Sequence, residues 1–360
     1  LRQKNSNFSL FLIFLFWICI PLSSFAKTDK PAPTLSPEQI QKKKEVLSKV
    51  LKFGTSQERK QALGEVVHFP KESADSIYKE MIVLLKAEKD MGMKIAFLRA
   101  FGEIQFELSY PVILLFFDDT GDEVSRQAIM SARKLKIPEA QPPLSEKVKK
   151  EDFTKNSNTL SLYLQTLAEL PNGKEISPYL LDRFKEKFNH ADAKSQIALF
   201  FGNTQEKLAE EALIDIAFDD AQPNTLRCYS INALGKIRSE NARPKLKELA
   251  DSLKKTSQKL DAKKAQSLKM YTVGALVQLG DLEILQELYE FARDDDPTVR
   301  LRAIEYLGNL KDPGAMELLE YKRDRDPSTR VQRAAKAAID KINGINSPPG
   351  ADTPLEEESN

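Results

Sequence analysis

The sequence predicts an all-α fold, an α-α superhelix built by stacking about eight helix pairs. Three observations carry this expectation. Asp296-Pro297-Thr298-Val299-Arg300 returns thirty residues later as Asp326-Pro327-Ser328-Thr329-Arg330, each time at the head of an amphipathic segment. An apolar-Gly step closes helical runs at Phe101-Gly102, Phe201-Gly202, Leu234-Gly235 and Leu307-Gly308, and these glycines lie 100, 33 and 73 residues apart, close to three, one and two units of a single period. Strand-like alternation is scarce, and 14 glycines in 360 residues are too few for the tight turns of a sandwich or barrel. A helix pair of this size cannot bury its apolar face alone, so copies must pile on one another.

The chain opens with a pattern that reads as a targeting segment. Arg2 and Lys4 precede an apolar run from Phe8 to Ile20, and Pro21-Leu22-Ser23-Ser24-Phe25-Ala26 ends in small residues at the positions a signal peptidase requires. Residues 1–26 are therefore expected to be a signal peptide cleaved after Ala26, and the mature chain to be exported, periplasmic or secreted. The thirteen apolar residues would span only about 20 Å as a helix, short of the roughly 30 Å bilayer core, so no membrane span is expected after cleavage. Phe16-Trp17-Ile18 ahead of Cys19 are bulkier than a lipoprotein signal favours. Residues 27–37, with three prolines, read as a linker, and Ser36-Pro37-Glu38 as a helix cap with Pro at the first helical position.

From there the helical period runs to residue 343. First helices of each pair (A helices) are expected near 56–68, 91–105, 122–136, 157–170, 192–202, 224–237, 262–279 and 297–310, with a last one at 327–342. Second helices (B helices) are expected at 77–86, 110–117, 180–188, 208–218, 242–253, 282–292 and 315–321. Each shows apolar residues at helical spacing, as in Val299, Ala303, Leu307 and Leu310, or Ala242, Leu246, Leu249 and Leu253. The third unit carries an interruption from Pro138 to Pro143, and the stretch from Lys254 to Lys264 reads as an insertion that projects as a hook. Residues 344–360, with Ser347-Pro348-Pro349-Gly350 and Glu356-Glu357-Glu358, read as a disordered acidic tail.

The series Asp296-Pro297, Val299-Arg300, Ala303, Leu307-Gly308, Leu310 and Asp312, followed by Ala315 and Leu319, resembles a HEAT repeat of the short phycobilisome-lyase HEAT-like kind, an armadillo-type solenoid. Arg227, Ala233-Leu234-Gly235, Ile237, Ala242 and Leu246 repeat the match, and the resemblance is clearest over 190–342. It implies a binding scaffold whose inner face is lined by B helices, and a ladder of arginines along the stack to which Arg300 and Arg330 would belong. On that implication Arg243, Lys247, Tyr289, Arg293, Tyr321 and Arg323 are the candidate contacts for a protein or peptide partner, since Tyr and Arg make large contacts at small entropic cost. Some name-giving relatives are bilin lyases, which makes a lyase-like enzyme the alternative. An envelope structural protein held at a membrane is a further one.

Chemistry-bearing motifs are missing. His68 and His190 are the only histidines, with no metal spacing between them, and no nucleotide, zinc or hydrolase signature occurs. The reading is thus no catalytic residue, no cofactor and no metal. After removal of the leader only Cys228 remains, and it lies inside a helix without an activating His beside it. Asp118-Asp119, Asp219-Asp220 and Asp294-Asp295-Asp296 read as caps and turns, because Ca²⁺ needs an ordered ligand loop. Without Arg2 and Lys4 the 54 basic residues fall to 52 against 53 acidic ones, which argues against a nucleic-acid partner.

Overall fold

The structure is a computed structural model that describes residues 36–255 and 259–345, and the side chains of all of these except 259–264. The expected leader, most of the 27–37 linker and the tail from residue 346 lie outside the described residues. By its contacts the chain divides into residues 1–43 and residues 44–360. In the first, the described part is the opening of α1 (Pro37–Phe53), where Ser36 and Gln39 exchange hydrogen bonds: the Ser36 N–H donates to Gln39 Oε1 at 2.8 Å and Ser36 Oγ accepts from the Gln39 N–H at 3.3 Å. That is the reciprocal cap expected at Ser36-Pro37.

The second holds the repeat array. Its A helices are α2 (Ser56–Val67), α4 (Met91–Ile104), α6 (Asp122–Leu135), α8 (Asn158–Glu169), α10 (Ala191–Asn203), α12 (Asn224–Lys236), α14 (Lys259–Gln278), α16 (Pro297–Leu310) and α18 (Thr329–Ile342). Its B helices are α3 (Lys71–Ala87), α5 (Tyr110–Leu115), α7 (Gln141–Lys150), α9 (Ser177–Lys185), α11 (Glu210–Ala217), α13 (Arg243–Lys254), α15 (Leu285–Phe291) and α17 (Met316–Arg325). Among the described residues there is no strand. Each A helix from α4 to α16 packs against the A helix before it and the one after it, and each B helix packs against the A helix that follows, so the pairs pile up in sequential order as a helical-repeat solenoid.

Two expectations are corrected. The Pro138–Pro143 interruption is instead a B helix: Pro138 opens a short turn, and Pro142 and Pro143 sit in the first turn of α7, where a missing N–H breaks no internal bond. The insertion at Lys254–Lys264 is largely helical, because α13 runs to Lys254 and α14 begins at Lys259, with residues 256–258 outside the described set.

Three local devices recur along the A helices. At their starts, the fourth residue donates to a carbonyl of the preceding segment: Arg59 Nε to Leu51 O (2.9 Å), Ser125 Oγ to Phe117 O (2.7 Å), Arg227 Nε to Ala217 O (3.1 Å), Arg300 Nη1 to Asp294 O and Asp295 O (both 2.8 Å) and Gln332 Nε2 to Asp326 O (2.8 Å). These satisfy backbone acceptors that a closely packed junction would otherwise leave unpaired. Two of the same side chains also reach a carboxylate of the next unit, Arg59 to Glu88 (2.6 Å) and Arg300 to Asp326 (2.9 Å), and Lys94, the fourth residue of α4, likewise reaches Asp119 (2.7 Å).

Arg330 does not join this ladder. Asp296 caps α16 as expected, its Oδ1 accepting the Thr298 N–H at 2.7 Å, but α18 starts only at Thr329, so Pro327 stays outside the helix and Arg330 becomes its exposed second residue. Asp326 is used differently. It accepts the Ser328 N–H at 3.0 Å and two parallel bonds from Arg300, with Lys322 Nζ at 3.2 Å.

In the last turn of the A helices, glycine lets neighbouring backbones close up. A Cβ on Gly202 would stand 2.9 Å from Ala233 Cα, one on Gly235 2.9 Å from Ala275 Cα, and one on Gly308 2.8 Å from Ala338 Cα, nearer than real Cβ atoms approach. At the ends, α6, α10, α12, α14, α16 and α18 share one closure. The residue after the last full turn is left-handed, and the next N–H reaches back five residues, for example Ile137 N to Ala132 O and Ser239 N to Leu234 O. Four of these left-handed residues, Lys136, Gln205, Arg238 and Lys311, are not glycine, which is why their turns carry no sequence signal.

Candidate functional site

A polar hollow in the array lies on the face formed by the A helices. It is a cleft of about 330 Å³ whose walls come from six successive A helices, with Gln165 of α8 at one end and Lys341 of α18 at the other. A second hollow of about 350 Å³ adjoins it and shares Asn203, Lys236 and Asn309. Each of these shared residues directly follows a close-packing glycine. The period that stacks the helices therefore also lines up their polar side chains.

Tyr271 and Tyr306 form the back of the cleft, with Tyr229 packed beside them. Tyr229, Tyr271 and Tyr306, on α12, α14 and α16, pack edge to face with ring centroids 6.1 and 6.4 Å apart. Gly274 makes this possible, since a Cβ there would collide with the Tyr306 ring. With that space open, Tyr306 crosses α14 and donates its hydroxyl to Asn232 Oδ1 on α12 at 2.9 Å, tying together helices two units apart. Burial pushes the Tyr271 and Tyr306 phenols upward.

The rim is polar. Lys236 Nζ donates to Asn203 Oδ1 at 2.6 Å, and Lys341 Nζ to Asn309 Oδ1 at 3.2 Å, so the same pair recurs between α10 and α12 and between α16 and α18. Lys134 and Glu103 make the corresponding link between α6 and α4 at 2.5 Å. Arg302 gives one N–H to Glu305 at 2.8 Å, and its Nε is buried without a partner. Arg133 lies 3.7 Å from Glu169 and donates to Gln165 at 3.2 Å.

Of the six residues singled out from sequence, five stand on B helices and Arg293 in the turn after α15, and none lines this cleft; the polar hollow lies on the opposite helices from those the resemblance implies. Three are occupied in holding units together. Arg243 bonds Glu240 and Asp281 (2.7 Å each) and the Leu279 carbonyl, Lys247 lies 3.4 Å from Asp281, and Tyr289 donates to Asp312 Oδ2 at 2.5 Å. Arg323 pairs with the adjacent Asp324, Arg293 donates to the Tyr289 carbonyl at 3.3 Å, and Tyr321 is exposed. The residues missed are Asn203, Asn232, Lys236, Arg302, Tyr306 and Asn309. Three of them share a signal, a polar residue directly after the apolar-Gly step, in Gly202-Asn203, Gly235-Lys236 and Gly308-Asn309, and the other three carry none.

A family profile described as HEAT repeats matches residues 253–340, and one described as PBS lyase HEAT-like repeat matches residues 226–252. Residues 226–340 belong to the HEAT-repeat family. No curated protein matches the chain. The HEAT region supplies α12 to α18, and with them most of the cleft.

Other chemistry-bearing side chains have structural surroundings. His68 closes α2, and His190 caps α10, its Nδ1 accepting the Asp192 N–H at 3.2 Å. The acidic runs also cap turns: Asp119 accepts the Gly121 N–H, Asp219 that of Ala221 and Asp294 that of Asp296. Among the described residues no group of His, Cys, Asp and Glu is arranged to hold a metal ion, and no helix is long and apolar enough to cross a membrane. Cys228 is buried in α12, and desolvation pushes its thiol up to about 12. A thiol reagent at pH 8 is therefore expected to label Cys228 only on unfolding; rapid labelling of the native protein would contradict this burial.

Proposed function

We propose that the chain is an exported, non-catalytic HEAT-repeat scaffold that holds a protein or peptide partner in the cleft of its A helices. The observation that carries the reading is the convergence of six successive helices on one polar, tyrosine-backed hollow, built by the same glycine contacts that stack the array. Repeat arrays bind along such continuous surfaces because each unit adds a side chain at a fixed spacing. Export is supported by the basic, apolar and small-residue order of residues 2–26.

The test is selection of displayed peptides on the purified protein, followed by binding to Leu199→Trp. Leu199 lines the cleft. The added indole fills part of it and supplies a reporter, since the only native tryptophan is Trp17 in the leader. Selected peptides are expected to change the indole emission in the variant and to bind it more weakly than the wild type, with Arg293→Gln unaffected. Peptides indifferent to Leu199→Trp, or none selected, would contradict the reading. A second reading, a lyase, is favoured by the PBS lyase HEAT-like match over 226–252; turnover or stable pigment attachment by the purified chain would establish it instead.

A further inference from the structure

The cleft has a chemical bias that narrows the partner. Three asparagines line it, on α10, α12 and α16, and each has its carbonyl oxygen already engaged: Asn203 by Lys236, Asn309 by Lys341 and Asn232 by Tyr306. A lysine ammonium can only donate, so the Asn203 and Asn309 carboxamides are fixed with oxygen toward lysine and Nδ2 available to a ligand. The charged groups lean the same way. Among the lining residues Lys236, Arg302 and Lys341 stand against two carboxylates, Glu169 and Glu305, a surplus of one positive charge. Such a surface offers many donors and few acceptors.

We infer that the cleft binds an extended peptide segment carrying carboxylate side chains, its main-chain carbonyls on the asparagine Nδ2 donors and its carboxylates beside Lys236, Arg302 and Lys341. The inference rests on the A-helix cleft being the binding face. An extended strand suits it because backbone carbonyls recur along one edge of the peptide while successive side chains alternate between faces. The asparagine donors read the main chain, and the cations select side-chain charge.

Fluorescence anisotropy on the full chain tests this with three labelled probes of equal length: an alternating Glu-Gly octapeptide, its Lys-Gly counterpart and an oligothymidylate. The Glu-Gly peptide is expected to bind and the Lys-Gly peptide not to. The triple variant Asn203→Asp, Asn232→Asp, Asn309→Asp keeps every oxygen that Lys236, Tyr306 and Lys341 use but removes the donors, and is expected to weaken Glu-Gly binding by about tenfold or more at unchanged helicity. Arg293→Gln with Arg323→Gln, on the side of the array away from the cleft, is expected to leave it unchanged.

The inference is overturned if the Glu-Gly peptide fails to bind at millimolar concentration. It is overturned equally if the oligothymidylate or the Lys-Gly peptide binds as tightly, if the triple variant binds normally, or if the Arg293→Gln, Arg323→Gln variant weakens binding as much. Displayed peptides that occupy the cleft without carboxylates would overturn this inference alone and leave the scaffold reading in place.

Discussion

Asp326→Ala is expected to destabilise the C-terminal end of the array by about 3–5 kcal/mol, the usual consequence of stranding one member of a buried ion pair. The Asp326 side chain is fully buried and the Arg300 side chain is 7% exposed, and the two meet through parallel 2.9 Å bonds that join α16 to the loop before α18. Removing the carboxylate leaves the guanidinium held by the Asp294 and Asp295 carbonyls but without a counter-charge. Because a repeat array unfolds in pieces, the loss should appear as early hydrogen exchange in α17 and α18, before α4 or α6 opens.

The same carboxylate sets a pH dependence. Burial alone would raise its pKa, but hydrogen bonds from Arg300, the Ser328 N–H and Lys322 outweigh burial and hold it below its ordinary value. Its contribution is therefore complete above the unfolded value of about 3.9 and is lost as pH falls through the lower folded value. Acid titration should destabilise wild type more steeply in that window than Asp326→Ala, and parallel curves would contradict the assignment.

Gly274→Ala is expected to cost about 2–4 kcal/mol, combining overpacking with loss of a buried hydrogen bond. The new methyl would collide with the Tyr306 ring, which can escape only by withdrawing from Asn232. In a Tyr306→Leu background the same change should cost well under half as much, because the ring that it strikes is gone. Urea unfolding of the four proteins gives the coupling directly, and additive effects would show that Gly274 does not serve Tyr306. Peptide binding should fall with Gly274→Ala as well, since Tyr271 and Tyr306 form the back of the cleft.

The architecture was legible because periodicity survives sequence drift. The apolar-Gly steps at residues 202, 235 and 308 marked helix crossings, and those glycines do meet Ala233, Ala275 and Ala338. Helix α7 was hidden because three prolines look like a break unless their place in the first turn is known. Gly274 was hidden because it packs on a ring rather than on an alanine, and so lies outside the motif. The site was harder to read. Whether Arg243 and Tyr289 face a partner or tie units together depends on Asp281 and Asp312, which lie 38 and 23 residues away. Asn203 and Asn309 look like ordinary solvated helix ends until the stack sets them beside Lys236 and Lys341.

The most direct test of the account is to place a photo-crosslinking phenylalanine analogue separately at Leu199, inside the cleft, and at Tyr321, exposed on α17, and to irradiate each protein with a peptide selected for binding. Covalent capture at position 199 and none at 321 is the predicted result. Capture at 321 alone would put the partner on the B helices and contradict the account.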